Sequence, residues 1–228
     1  MELREQYDQI WRRFRGLVVV RPTLAAWRGR HRRAWLVVRV NDPALFRRLD
    51  RIRAALAGLP FVVPVPDHGL HVPLLELGPV ALRRARAGEL RPGELPDLAE
   101  AIRSLLARTR PLVVDVARVN ATESEVFAEL HRVEPLLALQ AQLRAVVCPG
   151  AEDAPPLPRL PLARFVAAGD APALGRALEW FRDRPIGPIR IGAVTLVVHH
   201  RRAPHPRQER IAELPLAGGR RTAEEAVG

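Results

Sequence analysis

Leu3, Tyr7, Ile10, Trp11 and Phe14 recur at spacings of three and four, with Arg4, Glu5, Asp8, Arg12 and Arg13 between them. The pattern predicts an amphipathic helix whose aromatic face docks on the rest of the molecule, because a surface helix gains most of its stability from burying one face. Ala34 to Val40 (AWLVVRV) has the length and β-branched content of a strand. Asn41 or Asp42 then caps a helix with Pro43 in its first turn and Leu45, Leu49, Ile52 and Leu56 as its apolar stripe. Phe61 to Pro66 and Leu70 to Leu77 suggest two strands around an Asp67-His68-Gly69 turn.

Helical spacing returns from Pro96 to Thr109, at Glu134 to Val147 and at Ala171 to Phe181. Leu112 to Val119, Val126 to His131, a long run from Ile189 to His200, and Ile211 to Leu216 read as strands. Gly78 to Gly93 and the Pro-rich, acidic Ala151 to Pro158 read as connections, and the chain from Ala217 onward lacks apolar periodicity. The mixture of strands and helices is α+β. Three segments follow: a basic N-terminal helix and Arg-rich stretch over 1–33, one domain over 34–216, and a flexible tail over 217–228.

Within that pattern one short stretch occurs twice. GLHVPLLELG places His71 and Pro73 on one face of a strand, and eighty-eight positions on, LPRLPLARF repeats it with Arg159, Pro161 and Leu162 in the places of His71, Pro73 and Leu74. Proline inside a strand marks a spot where the N–H has no ladder partner, so its recurrence implies matching backbone environments in two similar half-domains.

These two stretches resemble the paired motifs of the 2H phosphoesterases, the superfamily of 2′-5′ RNA ligases and 2′,3′-cyclic phosphodiesterases. Its members carry histidine, a hydrophobic residue, then Thr or Ser, once in each half. The similarity covers about Ala34 to Leu216 and includes VNATESEVFAEL and the closing strands. It implies a two-lobed fold, with two pseudo-symmetric antiparallel sheets, helices packed outside and a central cleft. It also implies a ligand class of RNA ends or small cyclic phosphates and phosphodiesters, and a role for His71 as catalytic acid or base with no cofactor.

The motifs depart from the family in their chemistry. Arg159 cannot exchange a proton near neutral pH, and Pro73 and Pro161 have neither a hydroxyl nor an N–H to offer a phosphate. Losing one proton-transfer partner costs about 10² to 10⁴-fold in rate. Arg159 retains a phosphate-compatible fork. The expected protein therefore binds phosphodiesters in its cleft with lost or weakened catalysis, Arg159, Pro73 and Pro161 lining the ligand site. An active cyclic phosphodiesterase relying on His71 and Arg159, and a non-catalytic interaction protein using its basic front end, are the alternatives.

Charge sharpens the last alternative. All 36 basic residues are arginine, against 25 acids, for a net charge of +11. Residues 1–40 are the richest part, and Arg28, Arg30, Arg32 and Arg33, flanked by Trp27 and Trp35, form a candidate nucleic-acid patch. The single cysteine, Cys148, excludes an internal disulfide, and no Cys/His group has zinc-ligand spacing, so no metal is expected. His199 and His200 point to opposite faces of a strand and read as structural or surface residues, and turn residue His68 and His205 as surface groups. No apolar run reaches membrane-span length and the charged N-terminus does not read as a secretory signal, which points to a cytoplasmic monomer with no membrane partner.

Overall fold

Strand alternation puts Ala34, Leu36 and Val38 on one side and Trp35, Val37 and Arg39 on the other, and the first set is buried in the main core. In the computed structural model, which describes residues 2–23, 32–81, 89–147, 157–200 and 205–218, that alternation builds two antiparallel sheets. The chain runs α1 (Leu3–Arg15), β1 (Val19–Val20), β2 (Arg32–Arg39), α2 (Pro43–Ala57), β3 (Val62–Pro64), β4 (His71–Pro79) and α3 (Leu95–Leu106). It continues with β5 (Leu112–Ala121), β6 (Glu125–His131), α4 (Glu134–Val147), β7 (Arg159–Phe165), β8 (Gly169–Asp170), α5 (Ala171–Glu179), β9 (Gly187–Ile191), β10 (Ala193–His200) and β11 (Arg207–Pro215).

One lobe is the four-stranded sheet β11-β10-β2-β4, against which α3 and α4 pack; the other is the five-stranded sheet β3-β7-β6-β5-β9, with α2 beside β3 and α5 beside α2. A short β1–β8 pair completes the strands among the described residues. Asp42 caps α2 by accepting from the Ala44 N–H at 2.8 Å, and Asp170 caps α5 by accepting from Ala173 at 3.0 Å. The motif strands β4 and β7 lie against each other where the lobes meet.

Two expectations need correction. Phe61–Pro66 and Leu70–Leu77 do not form a hairpin: β3 pairs with β7 and β4 with β2, in different sheets. Pro64 and Pro66 cannot donate to a ladder, so this segment serves only as a three-residue edge strand. The long apolar run before His200 is likewise two strands, β9 and β10, divided at Gly192 and assigned to opposite lobes.

The repeat has a structural basis. Immediately after Pro73 the register of β4 against β2 slips by one, leaving Leu74 as the extra residue; after Pro161 the register of β7 against β6 slips in the same way, leaving Leu162. Both leucines are buried. The bulges occupy equivalent positions in the two lobes.

Helix α1 is an integral part of the second lobe, with Tyr7 fully buried and Phe14 nearly so. Val126, Ala128 and Leu130 of β6 point into the main core, so Phe127, Glu129 and His131 face the other way, and there Tyr7 packs on the Phe127 and His131 rings. The Tyr7 hydroxyl accepts from the Leu130 N–H at 3.2 Å and donates to the Pro158 carbonyl. Under the helix the Glu129 carboxylate is fully buried and accepts from Arg118 at 2.9 Å, Asn120 at 2.9 Å and Arg182 at 2.5 Å, while Asp8 of α1 pairs with Arg118 at 2.9 Å.

Removing one partner of a buried ion pair strands the others, at about 3–5 kcal/mol. Glu129→Ala is expected to lower stability by that amount in urea denaturation and to loosen α1, read as faster amide exchange from Tyr7 to Phe14.

Candidate functional site

His71 opens β4 on the face shared by Arg39 and Val37, the side of the sheet turned away from the helices of its lobe. Its Nδ1 lies 2.7 Å from the Gly69 carbonyl, and the Gln208 carboxamide of β11 lies 2.9 Å from the same nitrogen. The Gly69 carbonyl can only accept and takes a proton from Nδ1, whereas the Gln208 amide nitrogen is a donor and would give one to it, so the tautomer follows whichever of the two contacts holds. Among the described residues Nε2 has no hydrogen-bond partner.

Its neighbour is His199, for which the sequence pattern suggests only a structural or surface role. His199 lies two residues beyond Val197 on the same face of β10, its ring 5.2 Å from that of His71 and 6.1 Å from that of Trp35. Its Nε2 is buried without a partner among the described residues. His200 turns the other way, to Glu209 at 2.7 Å, as alternation requires.

Burial pushes His71 down to about 4, with the Gly69 hydrogen bond opposing it and the charges of Arg164 and Arg39 adding to it. Burial pushes His199 down to about 3, helped by His71, Arg164 and His200. His205 is lowered as well, first by burial and then by Arg164. The charge of one guanidinium, that of Arg164, thus acts on all three imidazoles. It makes no hydrogen bond or ion pair among the described residues, and burial lowers its own pKa, with the charge of Glu125 opposing.

Arg164 is hard to single out from sequence because strict alternation puts it with Leu160 and Leu162, toward the core. The extra residue at Leu162 resets the phase, so that Arg164, opposite Glu125, joins Arg159 and Pro161 on the same face.

Next to this cluster lies a hollow of about 480 Å³ lined by Arg39, His68, Gly69, His205, Arg207 and Gln208 among others, with no carboxylate in its lining; the rings of His71 and His199 and the Arg164 guanidinium lie outside the lining, His71 adjoining it through Gly69 and Gln208. It is suited to an anion. His205 anchors one wall through Nε2 to the Pro64 carbonyl at 2.9 Å, leaving Nδ1 buried and unpartnered.

Arg159 is engaged by a carboxylate. Its Nε donates to Glu125 at 2.6 Å, and it lines a separate hollow with Ile10, Arg13, Phe14 and Leu17 of the N-terminal segment. Helix α1 covers the face from which Arg159 and Pro161 project, since their register partners Glu129 and Phe127 are under it. Glu125, which holds Arg159, also acts on the His71 imidazole and raises its pKa against the effect of burial. Pro73 and Pro161 are buried beside their bulges. In the basic patch, Arg32 pairs with Glu209 at 3.3 Å and Arg33 with Glu76 at 2.9 Å, while Arg28 and Arg30 lie outside the described residues. No group of three or more metal-ligating side chains occurs among the described residues, and no helix there is long and apolar enough to cross a membrane.

No protein-family model matches the sequence. No curated protein sequence matches it. Solved structures do resemble it. TT0787 of Thermus thermophilus superposes with a TM-score of 0.62 at 22% identity, covering 82% of this chain and 100% of that one. A phosphoesterase gives 0.55 at 18% identity, over 82% and 99% of the two chains. Apo LigT of Escherichia coli gives 0.54 at 17%, over 83% and 99%. The fold is that of these proteins, the two-lobed 2H phosphoesterase fold that the paired motifs imply.

The depressed histidines give a pH signature. Between about pH 6.5 and pH 4 the unfolded chain binds a proton at His71 that the folded chain does not, so folding stability is fully present above that window and falls as pH drops through it. Each such histidine contributes a slope of about 1.4 kcal/mol per pH unit. Urea midpoints measured from pH 7 to pH 5 are expected to fall in the wild type and to fall less steeply in His71→Gln.

Proposed function

We propose that this protein binds a phosphodiester or cyclic phosphate, such as an RNA end bearing a 2′,3′-cyclic phosphate, in the hollow beside His71, and that it turns such ligands over weakly or not at all. The observation that carries this reading is the charge of Arg164, a half-buried guanidinium with no carboxylate bonded to it among the described residues, which acts on His71, His199 and His205 alike. A half-buried guanidinium that no carboxylate neutralises favours a phosphate over water, because charge-assisted hydrogen bonds are the strong ones. LigT of the same fold has been solved with 3′-AMP and with phosphate, which supports a ligand of this class.

Weak turnover follows from the protonation states. His71 is neutral and so available as a base at neutral pH, but an acid partner is scarce. With a pKa of about 4 or about 3, only about one imidazole in 10³ to 10⁴ carries a proton at pH 7. Arg159, whose guanidinium is held by Glu125, cannot release a proton near neutral pH. A bound phosphate anion would raise both histidines and partly restore an acid.

One observation favours a second reading, an active cyclic phosphodiesterase: the 5.2 Å approach of the His199 ring to that of His71 supplies a second imidazole in place of Arg159. Titration calorimetry with a 2′,3′-cyclic nucleotide, paired with a turnover assay, separates the two. Binding is expected in the wild type, and Arg164→Met is expected to weaken it about 10 to 150-fold, the loss of a charged hydrogen bond worth about 1.5–3 kcal/mol. Ring opening is expected near background. Ready turnover in the wild type that vanishes in both His71→Ala and His199→Ala would establish the enzyme reading, and absence of binding would remove both.

A further inference from the structure

A second basic hollow lies on the other side of the five-stranded lobe, where α2 meets the turn that follows α5. It has a volume of about 580 Å³, and its lining includes Arg47, Arg48 and Arg51 of α2, Arg184, and the exposed ring of Trp180. None of the lining residues is a carboxylate. Among the described residues none of the four guanidiniums makes an ion pair. The acids nearest in sequence are occupied or absent from the lining: Asp50 pairs with Arg53, Asp42 caps the helix, and Asp183 does not line the hollow.

This arrangement is built rather than incidental. Arg48 donates to the Ile186 carbonyl at 3.1 Å and lies over Gly187, where a Cβ would come within 1.9 Å of its Nη1; Gly187 also has φ of +136°, which L side chains rarely adopt. Arg184 stacks on Trp180 with its guanidinium carbon 3.5 Å from the ring centroid. Arg47 and Arg51 stand four residues apart on one helix face, where like charges repel unless an anion lies between them. Three helix-borne guanidiniums and a fourth held against an indole offer contacts to successive phosphates and a flat surface for a base.

We propose that this hollow binds the phosphodiester backbone of a single-stranded nucleic acid, with Trp180 receiving a base. The site shares no lining residue with the hollow beside His71, so the two can fail or hold independently. Positive grooves that track phosphates, with aromatic platforms for bases, are the general means of binding single strands.

Fluorescence anisotropy with a short labelled oligouridylate over a salt series tests it. Arg47→Gln/Arg51→Gln is expected to weaken binding at least about tenfold and to flatten the slope of log K against log salt by about 1.4, which is about 0.7 for each phosphate no longer neutralised. Trp180→Leu is expected to weaken binding by about 5 to 150-fold, the range for loss of one stacked base, with less change in slope. Both arginines are exposed on the helix, and Arg184→Gln in the following turn gives an independent arm should the double variant melt early. Unchanged affinity and slope in the arginine variants would overturn the proposal. So would tripolyphosphate displacing the oligonucleotide as effectively as unlabelled oligouridylate does, since that would mark a site for isolated phosphate groups.

Discussion

A carboxylate with no access to water governs the second lobe. Glu129 lies between β5 and β7, and its charge is tolerable only because Arg118, Arg182 and Asn120 all donate to it. Each donor then ties down something else: Arg118 reaches Asp8 of α1, Asn120 donates to the Tyr7 carbonyl at 2.9 Å, and Arg182 donates to the Val119 carbonyl at 2.9 Å. The cost of burying one charge is thus met by fastening the N-terminal helix, the central strand and the turn after α5 together. The sheet face that carries Arg159 and Pro161 is left beneath that helix.

The first lobe uses the same backbone differently. Its motif proline and bulge match those of the second, but no helix is fastened over His71 among the described residues, and the corresponding face carries Arg39, His199 and Gln208 around a hollow. The lobes meet at β4 and β7, and through the bulge at Leu162 the second contributes Arg164 to the imidazoles of the first. In one half the N-terminal helix packs beside the motif face and leaves a hollow lined by Arg159 and Glu125, while in the other half the hollow has no carboxylate in its lining.

Much of this is legible in the chain. The spacing of Leu45, Leu49, Ile52 and Leu56 places α2 and its buried face, and the recurrence of His71-x-Pro73 as Arg159-x-Pro161 marks the two halves and the strands that join them. The aromatic face of α1 reads as docked, and Tyr7 and Phe14 are buried. What it docks on is not readable, since the partners of Asp8 and Tyr7 are more than a hundred residues away. The candidate site is legible only at His71. Arg164 is hidden by a single bulge that reverses the phase of a period-two pattern, and His199 by the lack of any local sign that β10 and β4, separated by β2, bring their imidazoles together. The supposed hairpin fails for a related reason, since a turn signal does not say which sheet each flanking strand joins.

The central claim is that ligand enters the hollow beside His71 in the first lobe and not the hollow beside Arg159 in the second. Nuclear magnetic resonance of protein labelled with ¹⁵N in histidine and ¹³C in isoleucine and leucine methyls, titrated with 2′,3′-cyclic AMP, reports on both hollows at once. The account requires the Nε2 resonances of His71 and His199 to move with ligand while the methyls of Ile10 and Leu17, beside Arg159, stay still. Movement of Ile10 and Leu17 with His71 and His199 unaffected would contradict it.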